Sequence, residues 1–184
     1  MVKKKKGYMK LRYEHGLNSS TLSLAIKGTP ISFEYAKKMA NILATFLRDE
    51  KIDVEVRDVL ETSPDYLLDY DGIILGSPTY YGDMAAEMKE LIDRSVKYHG
   101  ELSGKLGGAF TTSAYVGGGN ETTLLSILKA MMIHGMVIVG IHNADHYGPV
   151  AIGAPDDRAE KQCRIYARKF ADTLKSLKGF DIVE

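Results

Sequence analysis

Residues 110–121 decide the fold of this chain and read Phe110-Thr111-Thr112-Ser113-Ala114-Tyr115-Val116-Gly117-Gly118-Gly119-Asn120-Glu121. This stretch predicts a strand that runs into a glycine-rich loop, and the loop opens a helix. Three successive glycines let the backbone adopt positive φ and approach a flat ring closely, while Ser113 and Asn120 offer polar groups at the two ends of the loop. The stretch therefore predicts a loop that holds a flat ligand.

A second loop of the same kind precedes it in the chain. It reads Gly76-Ser77-Pro78-Thr79-Tyr80-Tyr81-Gly82, follows a continuous apolar run at residues 72–75, and precedes a helix that begins near Asp83. An apolar run of this kind is typical of a parallel strand that is covered on both faces. Two such loops after two strands predict one shared crevice.

The composition predicts a single domain. A chain of 184 residues with 45% hydrophobic content can bury roughly 70% of its unfolded surface in one core. We therefore expect one domain over residues 21–184 and a disordered basic arm over residues 1–20, which contains four consecutive lysines. The 24 basic and 24 acidic side chains balance, so no nucleic acid or anionic membrane is expected as a partner.

Cysteine content and hydropathy indicate the cellular location of the protein and whether it spans a membrane. Cys163 is the one cysteine, which excludes an intramolecular disulfide and favours a reducing, cytoplasmic location. No apolar run approaches the roughly 20 residues of a membrane span, so we expect a soluble protein. His142, Asp145 and His146 share a loop without a further histidine or cysteine at ligand spacing, so no metal is expected.

Hydrophobic periodicity predicts alternating strands and helices. The predicted helices cover residues 33–47, 84–95, 122–134 and 156–177, and the clearest strands cover 53–59, 72–75, 106–112 and 136–141. This series predicts an α/β fold, namely a doubly wound five-stranded parallel sheet in the order 2-1-3-4-5 with helices on both faces. Ligands bind at the carboxyl ends of the strands in such sheets, which is where both loops lie.

Four segments resemble a known family in order and spacing. They are residues 76–84, 113–121, 134–139 and 147–153, and the resemblance extends over roughly residues 53–177. Together they resemble the flavodoxin-like FMN proteins. Within these, the similarity is to the NAD(P)H:quinone oxidoreductases of the tryptophan-repressor-binding-protein type and to NADPH-dependent FMN reductase-like proteins.

The resemblance implies FMN as the cofactor and assigns residues to its site. One loop would wrap the isoalloxazine ring with Pro78, Thr79, Tyr80, Tyr81 and Gly82, and the other would contact its opposite edge with Ser113, Ala114, Tyr115, Val116, Gly117 and Gly118. His134 is implied as the catalytic residue beside the ring. Gly148 is implied near the mouth of the site, and Tyr98 is a candidate for its aromatic lining.

The phosphate loop departs from the family pattern. Family members carry a hydroxyl-rich loop after the first strand, whereas the nearest segment here, residues 27–35, keeps only Thr29 and Ser32. Pro30 removes an amide donor and Glu34 adds negative charge near the expected phosphate. Loss of two charge-assisted hydrogen bonds would weaken FMN binding by roughly two to four orders of magnitude. Alternatively, residues 10–14 form the first strand and residues 16–21 the phosphate loop.

The predicted activity is hydride transfer from NAD(P)H through flavin N5 to a quinone or similar acceptor, in ping-pong order, with His134 holding or protonating the acceptor oxygen. The resemblance also implies a homodimer or homotetramer. Two other functions remain open at this point. One is a flavodoxin-type electron carrier, and the other is a flavodoxin-like module in which FMN binding is weakened or lost.

Overall fold

Strands and helices alternate in the computed structural model, which describes residues 20–25 and 30–180. The strands are β1 (Ser20–Ala25), β2 (Asp53–Asp58), β3 (Gly72–Tyr80), β4 (Asp83–Met84), β5 (Leu106–Ser113), β6 (Val137–Ile138) and β7 (Val150–Ile152). The α-helices are α1 (Pro30–Asp49), α2 (Ala86–Arg94), α3 (Asn120–Ile133) and α4 (Asp157–Phe180). Short 3-10 helices cover Val59–Glu61, Pro64–Asp69 and Ser95–Tyr98.

The sheet has the predicted doubly wound order. Its path is β2-β1-β3-β5-β6, and each of these neighbours is parallel. The strand at residues 20–25 pairs with both β2 and β3 and is therefore the first strand of the doubly wound order. The alternative first strand, residues 10–14, lies outside the described residues, as do residues 1–19 of the predicted arm, the segment 26–29 with Thr29, and residues 181–184.

The last position of the sheet differs from the sequence prediction. A single strand was expected over residues 136–141, but the chain leaves the sheet after Ile138 and returns after eleven intervening residues as β7. β6 pairs with the start of β5 and β7 pairs with its end. The reason is that His142, Asn143, His146 and Tyr147 are polar or aromatic and stay at the surface, while Val139 and Ile141 still point into the core.

Two apolar cores cover the two faces of the sheet. On one face, α1 packs against α4, and Met39, Leu43, Tyr166 and Phe170 are fully buried. On the other face, α2 and α3 bury Met88, Leu91, Ile127 and Met131. This arrangement confirms the predicted helices on both faces. Within the described residues, no helix has an apolar stretch long enough to cross a bilayer.

Candidate functional site

The two predicted ligand loops lie side by side at the carboxyl edge of the sheet. β3 and β5 are parallel neighbours, and Pro78 pairs with Thr112 near the end of both strands. β3 then turns through Tyr81 and Gly82 into β4, while β5 continues through the glycine-rich loop into α3. Adjacent parallel strands place their following loops together, so the crevice predicted from sequence is present.

The loops touch through bare backbone. Gly119 has a φ of +97°, and a Cβ atom added there would lie 2.4 Å from the Cα of Gly82. Such a contact requires glycine for two reasons, the left-handed backbone and the lack of room. The Oγ1 of Thr122 also donates a hydrogen bond to the carbonyl of Gly82 at 2.5 Å. The two loops therefore form one continuous surface.

Hydroxyl groups of the predicted site are used inside the protein. The Oγ1 of Thr79 lies 3.0 Å from Thr111 Oγ1 and accepts from Thr123 Oγ1 at 3.0 Å. The Oγ of Ser113 donates to the carbonyl of Tyr115 at 2.9 Å. These hydroxyls shape the loops, so a ligand on the outer surface would meet the backbone of these residues before their side-chain oxygens.

Side chains at the outer surface are aromatic or small. Tyr81 is fully exposed and has a positive φ of 50°, and Tyr115 and Val116 are also exposed. The neighbouring Ala114, Gly117 and Gly118 are exposed as well. Exposed rings beside bare backbone offer stacking faces and peptide groups to a planar ligand. This surface fits a flavin ring.

An orphaned polar atom lies at the base of the glycine-rich loop. The Oδ1 of Asn120, the first residue of α3, is buried and has no hydrogen-bond partner among the described residues. A buried acceptor without a partner is costly unless another group satisfies it. The sequence analysis identified Asn120 as a polar end of this loop. Its unpaired oxygen could accept a hydrogen bond from a ligand, which supports a ligand site here.

The phosphate end of the predicted site is described in part. Ser32 lies in the first turn of α1, and its Oγ is 2.6 Å from the hydroxyl of Tyr80. The bond joins the amino terminus of α1 to the end of β3. Since α1 follows a strand of the parallel sheet, its amino terminus lies at the same edge as the two loops, where backbone amides favour an anion.

His134 is not beside these loops in its own chain. It directly follows α3, and the next strand, β6, pairs with the first two residues of β5. α3 has 14 residues and is therefore about 21 Å long, so His134 lies at the amino edge of the sheet. Within one chain, His134 therefore does not lie beside the flavin ring as expected. The reason is that α3 carries His134 away from the loop that precedes the helix.

The surroundings of His134 keep its imidazole neutral. Its Nε2 is 2.8 Å from Ser95 Oγ, and that hydroxyl donates its own proton to the carbonyl of Ile92. Nε2 must then carry the proton, which leaves Nδ1 as an acceptor. Nδ1 is buried without a hydrogen-bond partner in the described part of the chain. Burial, and secondly the nearby His99, hold the pKa of His134 below its ordinary value.

Tyr98 lies away from the loops, and Gly148 lies against the middle of β5. Tyr98 ends the 3-10 helix that follows α2 at the amino edge, and its hydroxyl donates to Asp65. Gly148 is buried, and a Cβ atom added there would lie 2.1 Å from the carbonyl oxygen of Ala109, in the middle of β5. Gly148 therefore allows the chain to pass close to β5 before β7, and its place near the mouth of the crevice stays a prediction.

The polar loop at residues 142–146 is used for packing. Asp145 pairs with Arg158, and its Oδ2 accepts from the amide of Val150 at 3.0 Å. The Nδ1 of His146 lies 2.7 Å from the carbonyl oxygen of Ile141. Across residues 20–25 and 30–180, no three histidine, cysteine, aspartate or glutamate side chains are grouped to hold a metal ion.

Comparisons with known proteins agree with this geometry. The model of the NADPH-dependent FMN reductase family matches residues 65–147, which include both loops. A NAD(P)H dehydrogenase (quinone) from Archaeoglobus fulgidus is 32% identical over 182 residues, covering 89% of this chain and 95% of that protein. A flavodoxin from Clostridium saccharobutylicum is 33% identical over 135 residues, covering 71% of this chain and 83% of that protein. The crystal structure of a WrbA-like flavodoxin from Agrobacterium tumefaciens has a TM-score of 0.73 at 21% identity, covering 86% of this chain and 99% of that one.

The fold and the paired loops define a flavodoxin-like α/β protein. The chain is 32% identical to the NAD(P)H dehydrogenase (quinone) from Archaeoglobus fulgidus and covers 95% of that protein. This similarity narrows the assignment from the fold to one family. The chain belongs to the flavodoxin-like FMN proteins of the NAD(P)H dehydrogenase (quinone) type.

Proposed function

We propose that this protein is an FMN-dependent oxidoreductase that passes a hydride from NAD(P)H to a quinone or a similar acceptor. The observation that carries the proposal is the surface formed by the two loops. Exposed Tyr81 and Tyr115 and bare glycine backbone lie together at the carboxyl edge of adjacent parallel strands. The names of the relatives from Archaeoglobus fulgidus and Azorhizobium caulinodans, both NAD(P)H dehydrogenase (quinone), support the same activity.

The chain's own residues would bind and orient, and bound FMN would supply the hydride chemistry. Residues 78–82 and 113–118 would hold the ring, and the first turn of α1 with Ser32 would hold the phosphate. Nicotinamide and quinone would use the same exposed face in turn, since both are planar. This shared face leads to ping-pong kinetics.

A catalytic role for His134 remains a prediction with one condition. Because His134 lies at the amino edge, it would meet a flavin only if a second copy of the chain brought it there. Several large apolar side chains are exposed near that edge, namely Val96, Met132 and Ile133. We therefore propose a homodimer or homotetramer, which light scattering on the eluting protein would test.

An electron carrier is the second candidate. The flavodoxins from Clostridium saccharobutylicum and Aquifex aeolicus are 33% and 35% identical to the chain. Stepwise reduction of the FMN-loaded protein separates the two functions, because a carrier releases electrons singly and the proposed enzyme transfers them in pairs. The zero net charge disfavours the carrier, which docks to a protein partner through a charged face.

The first experiment is a titration of the apoprotein with FMN, followed by quenching of flavin fluorescence and repeated with riboflavin. Stronger binding of FMN than of riboflavin is expected, because only FMN carries the phosphate. The FMN-saturated protein is then mixed anaerobically with NADH or NADPH and a quinone. The proposal is wrong if it reduces no quinone, nitroaromatic or ferric acceptor with either nicotinamide.

A further inference from the structure

Three threonine hydroxyls form a directed chain beneath the two loops. The Oγ1 of Thr111 donates to the carbonyl of Ser77 at 2.7 Å. A hydroxyl has one proton, so the 3.0 Å contact between Thr79 and Thr111 must be a donation from Thr79. Thr123 Oγ1 lies 3.0 Å from Thr79 Oγ1 and 2.9 Å from the carbonyl oxygen of Gly119, four residues before it, so its single proton is shared between these two acceptors. The chain runs from α3 to β3, then to β5, and back to β3.

Two of the three hydroxyls in this chain are shielded from water, and Thr79 between them is half-buried. Thr111 and Thr123 are both 0% exposed, so solvent does not replace a hydroxyl that is removed. Removing one member of a buried hydrogen-bonded set leaves its partner unsatisfied, which costs more than the bond itself is worth. The hydroxyl of Thr123 is therefore an energetic link between the first turn of α3 and the end of β3.

The adjacent residue makes a second link between the same loops. Thr122 Oγ1 donates to Gly82 in the β3 loop at 2.5 Å and also lies 2.9 Å from the carbonyl oxygen of Gly119. Gly119 itself leaves no room for a Cβ atom against Gly82. Thr122 and Thr123 of α3 therefore both hold the loop before β4. Thr122 bonds to this loop directly, and Thr123 acts through Thr79.

We propose that Thr122 and Thr123 are positioning residues that clasp the β3 loop to the glycine-rich loop and fix the shape of the flavin site before the cofactor enters. Both act through other groups, Thr123 through Thr79 and Thr122 through the backbone of Gly82. A site that is already shaped avoids the cost of ordering loops on binding. The part of this inference that concerns FMN rests on the proposed function.

The central test uses Thr123→Val, which keeps the shape of the side chain and removes the hydroxyl. We expect FMN to bind about tenfold more weakly, because one buried link between the loops is lost. Amide hydrogen exchange in the apoprotein should become faster in residues 79–84 and 114–120. Thr123→Ser keeps the hydroxyl and should restore both properties. Thr45→Val is the matched control, since Thr45 makes the same bond to the carbonyl four residues before it, but within α1.

A double-mutant cycle with Thr79→Val tests the proposed route. If Thr123 acts through Thr79, the double variant binds FMN no more weakly than the more impaired single variant. Fully additive losses would overturn the route. Native affinity in Thr123→Val, unchanged exchange in both loops, or an equal loss in Thr45→Val would each overturn the clasp. If the native protein bound no FMN, the proposed function would fall, and the exchange rates of the apoprotein would still decide whether the clasp exists.

Discussion

At the scale of single residues, Tyr81 is held in a conformation that its side chain does not favour. A φ of 50° is the left-handed region, which costs a residue with a Cβ atom of order 1 kcal/mol. The ring gains no burial in return, since it is fully exposed. Because the conformation of Tyr81 costs free energy that burial does not offset, we expect its ring to contact the bound ligand.

Tyr81→Asn separates this strain from binding. Asparagine tolerates positive φ, so the variant should be as stable as the native protein or slightly more stable, while FMN should bind up to about tenfold more weakly through loss of a stacking face. Lys51→Asn is the matched control, because Lys51 has a φ of 65° in the turn after α1. Equal FMN affinity in the Tyr81 variant and the native protein would show that the ring does not contact the cofactor.

The titration of His134 predicts how the stability of the protein depends on pH. Burial lowers its pKa in the folded protein below the ordinary 6.5, so the unfolded chain binds the proton more readily. The stabilisation by the neutral imidazole is complete above the unfolded pKa and is lost as the pH falls below 6.5. The melting temperature should therefore drop on acidification from about pH 7.5 to about pH 5.5.

His134→Gln should reduce this drop, since glutamine can still donate to Ser95 and does not titrate. The comparison uses the difference in melting temperature between the two pH values for each protein. His99→Gln is the companion variant, because His99 is exposed and its ring centre lies 6.0 Å from that of His134. An identical acid response in native protein and His134→Gln would show that His134 does not limit stability in acid.

At the scale of elements, the carboxylate of Asp145 makes several of the bonds that hold the segment from residue 139 to residue 149. Asp145 accepts from the amide of Val150 and pairs with Arg158, and its own amide donates to Gln162 at 2.8 Å. These contacts attach the segment to the start of β7 and to α4. Its side chain is only 16% exposed in the ion pair, so its bonds are worth more than those of a surface pair.

Asp145→Ala should therefore destabilise the protein by about 1–3 kcal/mol, because the Val150 amide loses its acceptor and Arg158 loses its carboxylate partner. Chemical denaturation measures the loss. Asp93→Ala is the control, since Asp93 pairs with Lys89 at an exposed position and should change stability by at most about 0.5 kcal/mol. Equal effects of the two substitutions would contradict the proposed anchoring.

The sequence predicts elements better than it predicts where they end. Regular apolar spacing located α1, α2, α4 and the buried strands, because each has a core face that the period reveals. The break between β6 and β7 has no such signal, since residues 136–141 are almost entirely apolar whether or not they pair. The position of His134 could have been inferred, because a helix that starts at one edge of a parallel sheet must end at the other.

Residues that act through neighbours were missed for a different reason. Thr111, Thr122 and Thr123 look like ordinary strand and helix residues, and only the packed structure shows that their hydroxyls meet. The glycine run did predict the crevice, because positive φ and close backbone approach leave a trace in composition. The sequence therefore predicts the ligand-facing surface of the site but not the threonine hydrogen bonds that support this surface.

At the scale of the whole molecule, the proposed cofactor site would draw on several elements. β3, β5, α1 and α3 all contribute to it, so FMN should bind the folded chain and not the unfolded one. Free FMN at about 100 times its Kd would stabilise the protein by about 2.7 kcal/mol, which for a chain of this size raises the melting temperature by about 5–10 °C. Riboflavin at the same concentration should raise it less, and no shift at any FMN concentration would contradict the assigned site.

The divided fifth strand has a consequence for the behaviour of the protein at high concentration. Long unpaired strand edges recruit the edges of other molecules and begin aggregation. One outer edge of this sheet is broken into strands of two and three residues, and the other, β2, carries Asp53, Glu55 and Arg57. Among residues 20–25 and 30–180, neither edge offers a long neutral template for a further strand. Copies of the chain that do meet must therefore meet through helices and loops, where contact can be reversible.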